Sequence, residues 1–193
     1  MTTSRVAAEC ETSVGGLYRF FPNREAILAS LTTTYRARIA EVASALLERV
    51  GADTSLEELT SEAIDDFVRT YRELPGYRVL WMGRHLDHDQ LVLGDEANRQ
   101  IATLLASALG RRLADGGGPD VERVARVAVE VGDAALQLAF RVDPFGDAAY
   151  IAETKRSLLA YLESALEDIE LHREVARRRT KRRRGTGSRR AGA

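Results

Sequence analysis

Residues 13–28, Ser-Val-Gly-Gly-Leu-Tyr-Arg-Phe-Phe-Pro-Asn-Arg-Glu-Ala-Ile-Leu, constrain this chain most tightly, because they set two helix starts and an aromatic cluster side by side. Ser13 is a good N-cap, since its hydroxyl accepts a hydrogen bond from a free amide of the first turn. Gly15 and Gly16 sit in that turn, where each costs roughly 1 kcal/mol relative to alanine. A surface that presses against another molecule is one reason to keep the backbone bare there. Leu17, Tyr18, Phe20 and Phe21 are expected to pack the short helix down, and Pro22 stops it. Asn23 then caps a second helix, with Glu25 favourable in its first turn.

The preceding residues supply a partner helix. Thr3 or Ser4 can cap it, and Val6, Ala7 and Cys10 fall on one face, so Cys10 is expected in the core. A helix, a tight turn and a short second helix with a bare N-terminus form a helix-turn-helix. In that arrangement the second helix enters the DNA major groove by its first residues.

At this point the chain resembles the TetR family of bacterial transcriptional regulators. The pattern is carried by Val6, Ala7, Cys10, Ser13, Gly15, Leu17, Tyr18, Phe20, Phe21, Asn23, Arg24, Glu25 and Ala26. The resemblance implies a dimeric regulator that reads a palindromic operator in double-stranded DNA and answers to an unknown small-molecule effector. A repressor is the expected sense. Ser4, Ser13, Tyr18 and Arg24 are the candidate phosphate contacts, and Val14, Gly15, Gly16 and Arg19 the candidates for base-edge approach. Two departures stand out. Glu11 and Thr12 replace the family's Gly-Val, so Glu11 would be strained if the turn keeps its positive φ. The family's DNA-binding domain also has three helices, and the first would precede Thr2. The chain is therefore expected to lack that helix, either as a fragment or late start, or as a truncation that has lost operator binding.

The 193 residues suffice for one ordinary core and a small appended domain. The single cysteine excludes an internal disulfide and fits a reducing cytoplasm, nucleoid-associated when DNA is bound. No apolar run approaches the ~20 residues of a membrane span, so no membrane partner is expected. The net charge of −1 conceals an asymmetry. Residues 173–193 hold ten basic residues against Glu174, and the rest of the chain carries a net −10. Most of that acidic excess lies mid-chain, which makes the middle a poor DNA surface.

Apolar residues recur at helical spacing throughout, with no strand pattern. Helices are expected over Asn23 to about Val50, Thr54 or Ser55 to Leu74, about Tyr77 to His88, about Asp95 to Leu113, Asp120 to Val142, and Asp147 into the Arg170s. Glu57 or Glu58 can complete a capping box after Thr54 or Ser55. The fold class expected is all-α: a helix-turn-helix domain over residues 1–38, a ligand-binding and dimerisation bundle over 39–176, and a disordered basic tail over 177–193.

The resemblance implies that the last two helices pair with their copies in a second chain. Ala125, Ala128, Gly132, Ala135, Leu158, Leu162 and Ala165 are the candidate interface; ordinary intrachain core is the alternative. Phe67, Tyr71, Trp81, Met82, Leu105, Gln137 and Phe140 are candidate lining of a mostly apolar ligand pocket. His85, Asp87, His88 and Asp89 could suggest a metal, but two further ligands are not evident, and a solvated helix end is favoured. No catalytic constellation or cofactor motif stands out, so no enzyme is expected. The tail reads as a solvated extension, as a nonspecific phosphate-binding arm, or as a segment folded back on the acidic body.

Overall fold

A computed structural model describes residues 3–49, 51, 53–74 and 88–187 of the chain. Its helices, in order, are α1 (Thr3–Glu9), α2 (Val14–Phe20), α3 (Arg24–Arg49), α4 (Leu56–Glu73), α5 (His88–Gly110), α6 (Pro119–Val142) and α7 (Ala148–Gly187). No strand occurs among the described residues. The all-α architecture therefore stands. Local chemistry sets most boundaries. Asn23 Oδ1 accepts from the Ala26 amide at 2.8 Å and starts α3. At α4 the Glu58 amide donates to Ser55 Oγ at 3.1 Å, and the Ser55 amide donates to Glu58 Oε2 at 2.8 Å, a complete capping box. Asp147 Oδ1 accepts from the amides of Ala149 and Tyr150 and starts α7.

Two separate cores form. The small one holds Ala7, Leu17 and Ile27, with Val6, Phe21 and Leu31 packed against it. The large one gathers residues of α3 to α7 around Leu59, Leu109, Val121 and Ala125. Among the described helices only α3 contributes to both, through Ile27 and Leu31 at one end and Leu46 at the other.

Polar contacts show how α3, α4, α6 and α7 run. Near the end of α3, Arg49 bonds buried Asp66 and lies 3.9 Å from Glu62, both in α4. At the end of α4, Arg72 Nε donates to the Phe145 carbonyl at 2.8 Å, just before α7. Further back along α4, Lys155 of α7 reaches Asp65 at 2.7 Å and Ser61 at 3.0 Å. Arg173, far along α7, donates to the carbonyls of Gly116 and Gly117 at 2.8 and 2.7 Å, just before α6. So α4 runs antiparallel to both α3 and α7. One pole of the bundle holds the start of α7 and the ends of α4 and α6, towards α1 and α2. The opposite pole holds the ends of α3 and α7 and the start of α6.

Several expectations need correction. The small-residue face of α6 is core within one chain: Ala125, Ala128, Gly132, Leu158 and Leu162 are buried, and Ala135 and Ala165 half-buried. A Cβ on Gly132 would lie 3.1 Å from Leu158 Cδ1. The short turn between α6 and α7 makes these two helices antiparallel neighbours, so the small residues permit their own close approach. Cys10 is exposed, because α1 ends at Glu9 and the helical spacing behind its placement no longer applies. The helix α5 is already formed at His88, seven residues before the expected start. The tail was expected without structure from residue 177, yet α7 runs to Gly187. Arg and Lys are good helix formers, and extending an existing helix carries no nucleation cost. Trp81, Met82, His85 and Asp87 lie outside the described residues, as do the side chains of His88 and Asp89.

Bonds from the Ser55 amide and then its hydroxyl hold the Glu58 carboxyl below its ordinary 4.5. A lowered folded pKa adds stability that is present above the ordinary value and is lost as pH falls through the folded one. Glu58→Gln keeps the cap geometry without the titration. The parent should therefore lose stability faster than Glu58→Gln below about pH 4.5, as read from urea midpoints at pH 7, 5 and 3.

Candidate nucleic-acid interface and cavity

The turn between α1 and α2 closes by two bonds: the Thr12 amide donates to the Ala7 carbonyl at 2.9 Å and the Glu11 amide to the Ala8 carbonyl at 3.1 Å. This is a Schellman motif, whose left-handed residue is usually glycine. Here it is Glu11, at φ 49°, so the strain expected from the sequence is present. Next, Ser13 is extended, and its Oγ accepts from the Gly16 amide at 2.9 Å, starting α2.

The two glycines of α2 are bare for different reasons. A Cβ on Gly16 would meet Thr12 Oγ1 at 2.7 Å and Ser13 Oγ at 3.2 Å, so the cap itself occupies that space. A Cβ on Gly15 would find nothing nearer than Ser13 Oγ at 4.0 Å. Internal packing therefore explains Gly16 and leaves Gly15 as open backbone. Ser4, Ser13, Val14, Gly15, Tyr18, Arg19 and Arg24 are all exposed, and Gly16 is half-buried. The Tyr18 hydroxyl lies 3.3 Å from Thr3 Oγ1, which ties α2 to the start of α1. Of the aromatics expected to pack α2 down, Phe21 does so beside Leu17. Tyr18 is 44% exposed and Phe20 79%, because a two-turn helix offers only one narrow face to Ala7 and Ile27.

A cavity of about 110 Å³, counted as room for the centres of water molecules, lies in the large core. That space takes on the order of ten water-sized groups. Its walls come from α3 (Ile39, Ala43, Leu46), α4 (Leu59, Phe67, Tyr71), α5 (Asn98, Ile101, Leu105), α6 (Ala128, Gly132, Asp133, Leu136) and Leu158 of α7. Of the seven residues read from the sequence, Phe67, Tyr71 and Leu105 line it. Phe140 stands behind Tyr71, edge to face with ring centroids 5.4 Å apart. Gln137 acts one step removed, donating to Asp133 Oδ2 at 2.9 Å. The sequence reading missed Asn98 and Asp133. Asp133 accepts from the Tyr71 hydroxyl at 3.3 Å, and Asn98 Nδ2 donates to Glu130 Oε2 at 3.3 Å. An acid next to the buried Gly132 on the apolar face of α6 was the available signal.

Between the two sites lies residue 32–34 of α3, a run of three threonines. Their hydroxyls donate to the carbonyls of Leu28, Ala29 and Ser30 at 2.8, 3.0 and 3.0 Å. Such back-bonding loosens and bends helices. Among the described residues no cluster of three metal-ligating side chains occurs.

Residues 54–166 match the family described as tetracyclin repressor-like, C-terminal domain, and residues 1–31 match bacterial regulatory proteins, tetR family. A solved TetR-family transcriptional regulator from Streptomyces coelicolor is 30% identical, with a TM-score of 0.63 over 86% of this chain and 87% of that one. The nucleoid occlusion factor SlmA of Haemophilus influenzae is 32% identical over 97 residues, 48% of this chain. The chain spans only 41% of that relative's length.

Substitutions at the two unusual turn positions should separate folding from recognition. Gly15→Ala is expected to raise thermal stability, by up to about 1 kcal/mol, while weakening duplex binding at least tenfold. Glu11→Gly should stabilise by about 1 kcal/mol through relief of the left-handed strain, and should tighten duplex binding by removing a negative charge. Calorimetry paired with duplex titration of each variant checks both signs.

Proposed function

The chain belongs to the TetR family of bacterial regulatory proteins, and from that premise we propose a homodimeric, sequence-specific DNA-binding repressor whose grip on a palindromic operator is set by a small, largely apolar effector. The observation that carries this reading is the capped start of α2, where Gly15 leaves backbone open amid exposed Ser13, Val14, Tyr18 and Arg19. Ser4, Ser13, Tyr18 and Arg24 take phosphates, while Val14, Gly15, Gly16 and Arg19 approach base edges. The domains meet inside α3, near residue 38, and not at a flexible linker. The cavity is the effector site: apolar walls supply affinity, and Asn98, Tyr71 and Asp133 orient the ligand. Because Ile39, Ala43 and Leu46 of α3 line it, an effector that prefers one pose of α3 shifts the population of α2 poses. A cytoplasmic location goes with this reading; among the described residues no helix is long and apolar enough to cross a membrane.

A second chain pairs through the outer faces of α6 and α7. Val127, Val131, Leu138 and Val142 form an exposed apolar stripe on α6, and Tyr150, Leu171 and Val175 continue it on α7. Large exposed apolar stripes of this kind mark interfaces. Val131→Glu with Leu138→Glu should give a folded monomer by sedimentation, because a carboxylate buried without a partner is strongly disfavoured. Ala128→Glu should instead unfold the chain, since Ala128 is 3% exposed within one protomer. A dimer that survives the first pair would move the interface elsewhere.

The cavity has its own test. N-phenyl-1-naphthylamine should bind saturably with enhanced emission, and Leu105→Trp, which fills the space from α5, should abolish that signal without lowering the melting temperature. A second reading, a ligand-binding dimer that reads no operator, draws on the small core beneath α2 and the exposure of Phe20. Operator footprinting separates the two.

A further inference from the structure

The basic end of α7 stands at the wrong pole to serve the duplex held by α2. The helices α3 and α7 pass the cavity in the same direction, since α4 is antiparallel to both. From Ala43 back to Arg24, α3 covers roughly 28 Å towards α2. From Leu158 forward to Arg178, α7 covers roughly 30 Å the other way. The two surfaces are therefore on the order of 50 Å apart. Residues 179–187 are helical and add only about 14 Å. Residues 188–193, even fully extended, add at most about 20 Å.

The base of this arm is pinned. Arg173 bonds the carbonyls of Gly116 and Gly117, and Arg177 pairs with Asp115 at 2.6 Å. Beyond that anchor the sequence is almost pure cation: residues 177–184 are seven basic residues and Thr180. Like charges recur four apart at 177 and 181, 178 and 182, and 179 and 183, an arrangement that destabilises an isolated helix. A polyanion removes that repulsion. Steps of 100° place the basic positions on every side of the helix, and residues 177–190 contain no apolar residue. A helix lying on a lipid surface needs an apolar face rich in Leu, Phe or Trp, and this one has none. A helix in a duplex groove instead meets phosphates on both flanks. Nine of the ten basic residues are arginine, whose planar fork suits phosphate oxygens.

We infer that residues 178–187 form a second, sequence-independent binding arm for duplex DNA, so that one molecule bridges two duplexes, one at each pole. The arm's own affinity does not depend on the reading of α2; the bridging does. The test uses the full chain and two variants. One carries Lys181→Gln, Arg182→Gln, Arg183→Gln and Arg184→Gln, which preserve helix propensity. The other carries Arg19→Glu and Arg24→Glu in the DNA-reading module. The probe is a random-sequence 24-base-pair duplex, tethered to beads or labelled with a fluorophore, and vesicles of phosphatidylglycerol and phosphatidylcholine serve as the competing surface. The parent should carry labelled duplex onto beads that hold tethered duplex, and both variants should lose that capture. The slope of log affinity against log salt should flatten by up to about 3.6 in the glutamine variant, at about 0.9 per phosphate contact. Capture undiminished by the four glutamines, an unchanged slope, or arm-dependent binding to vesicles without binding to duplex would overturn the assignment. If the glutamine variant alone loses capture and the glutamate variant keeps it, the arm stands, but the bridge between the poles and the reading of α2 both fall.

Discussion

The rest of the structure depends on the continuity of α3. One helix of 26 residues enters the small core through Ile27 and Leu31 and the large core through Leu46. Neither core alone can set the position of α2. The small core is slight, and among the described helices only α3 joins it to the large core. Arg49, paired with buried Asp66, locks the far end of the helix to α4. The pairing lifts the Arg49 guanidinium above its ordinary pKa, chiefly through the bond to Asp66. On the proposed reading, what happens around Ile39, Ala43 and Leu46 is transmitted along this rod past residues 32–34, whose hydroxyls bond back to the helix between cavity and α2.

The proposed regulation rests on that geometry. The cavity is built where α3 crosses α4, α5 and α6, so under the proposed function an occupant would press on the rod directly. Its polar groups are held by neighbours: Gln137 and Tyr71 both bond Asp133, and Phe140 supports the Tyr71 ring. The other end of the chain contributes through charge. Acidic residues dominate the body, while the cations gather from Arg173 onward, so the body itself is a poor surface for nucleic acid.

How much of this was legible in the sequence depended on range. Contacts three or four residues apart could be read directly: the Ser13 and Asn23 caps, the Ser55–Glu58 box and the strained Glu11 turn all rest on local chemistry. Periodicity also found the buried face of α6, but a face does not name its neighbour. Ala128 and Gly132 belong to the seam with α7, and the outward stripe of Val127, Val131, Leu138 and Val142 was overlooked because its residues are larger and less uniform. Most of the cavity could not be seen: Asn98 and Asp133, for example, become cavity residues only when α5 and α6 pack side by side. The arm failed for a different reason: composition argued for disorder, whereas helix propensity and the anchor at Arg173 favour extension of α7.

The central claim is that α2, positioned by α3, reads DNA sequence as one of a symmetric pair. Selection from a random-sequence duplex library by the full chain tests it most directly. The account predicts enrichment of an inverted repeat whose half-site centres lie about one helical turn apart, roughly 34–36 Å, with enrichment lost in Arg19→Glu. A selection that enriches no sequence, or a single unpaired site indifferent to Arg19, would contradict it.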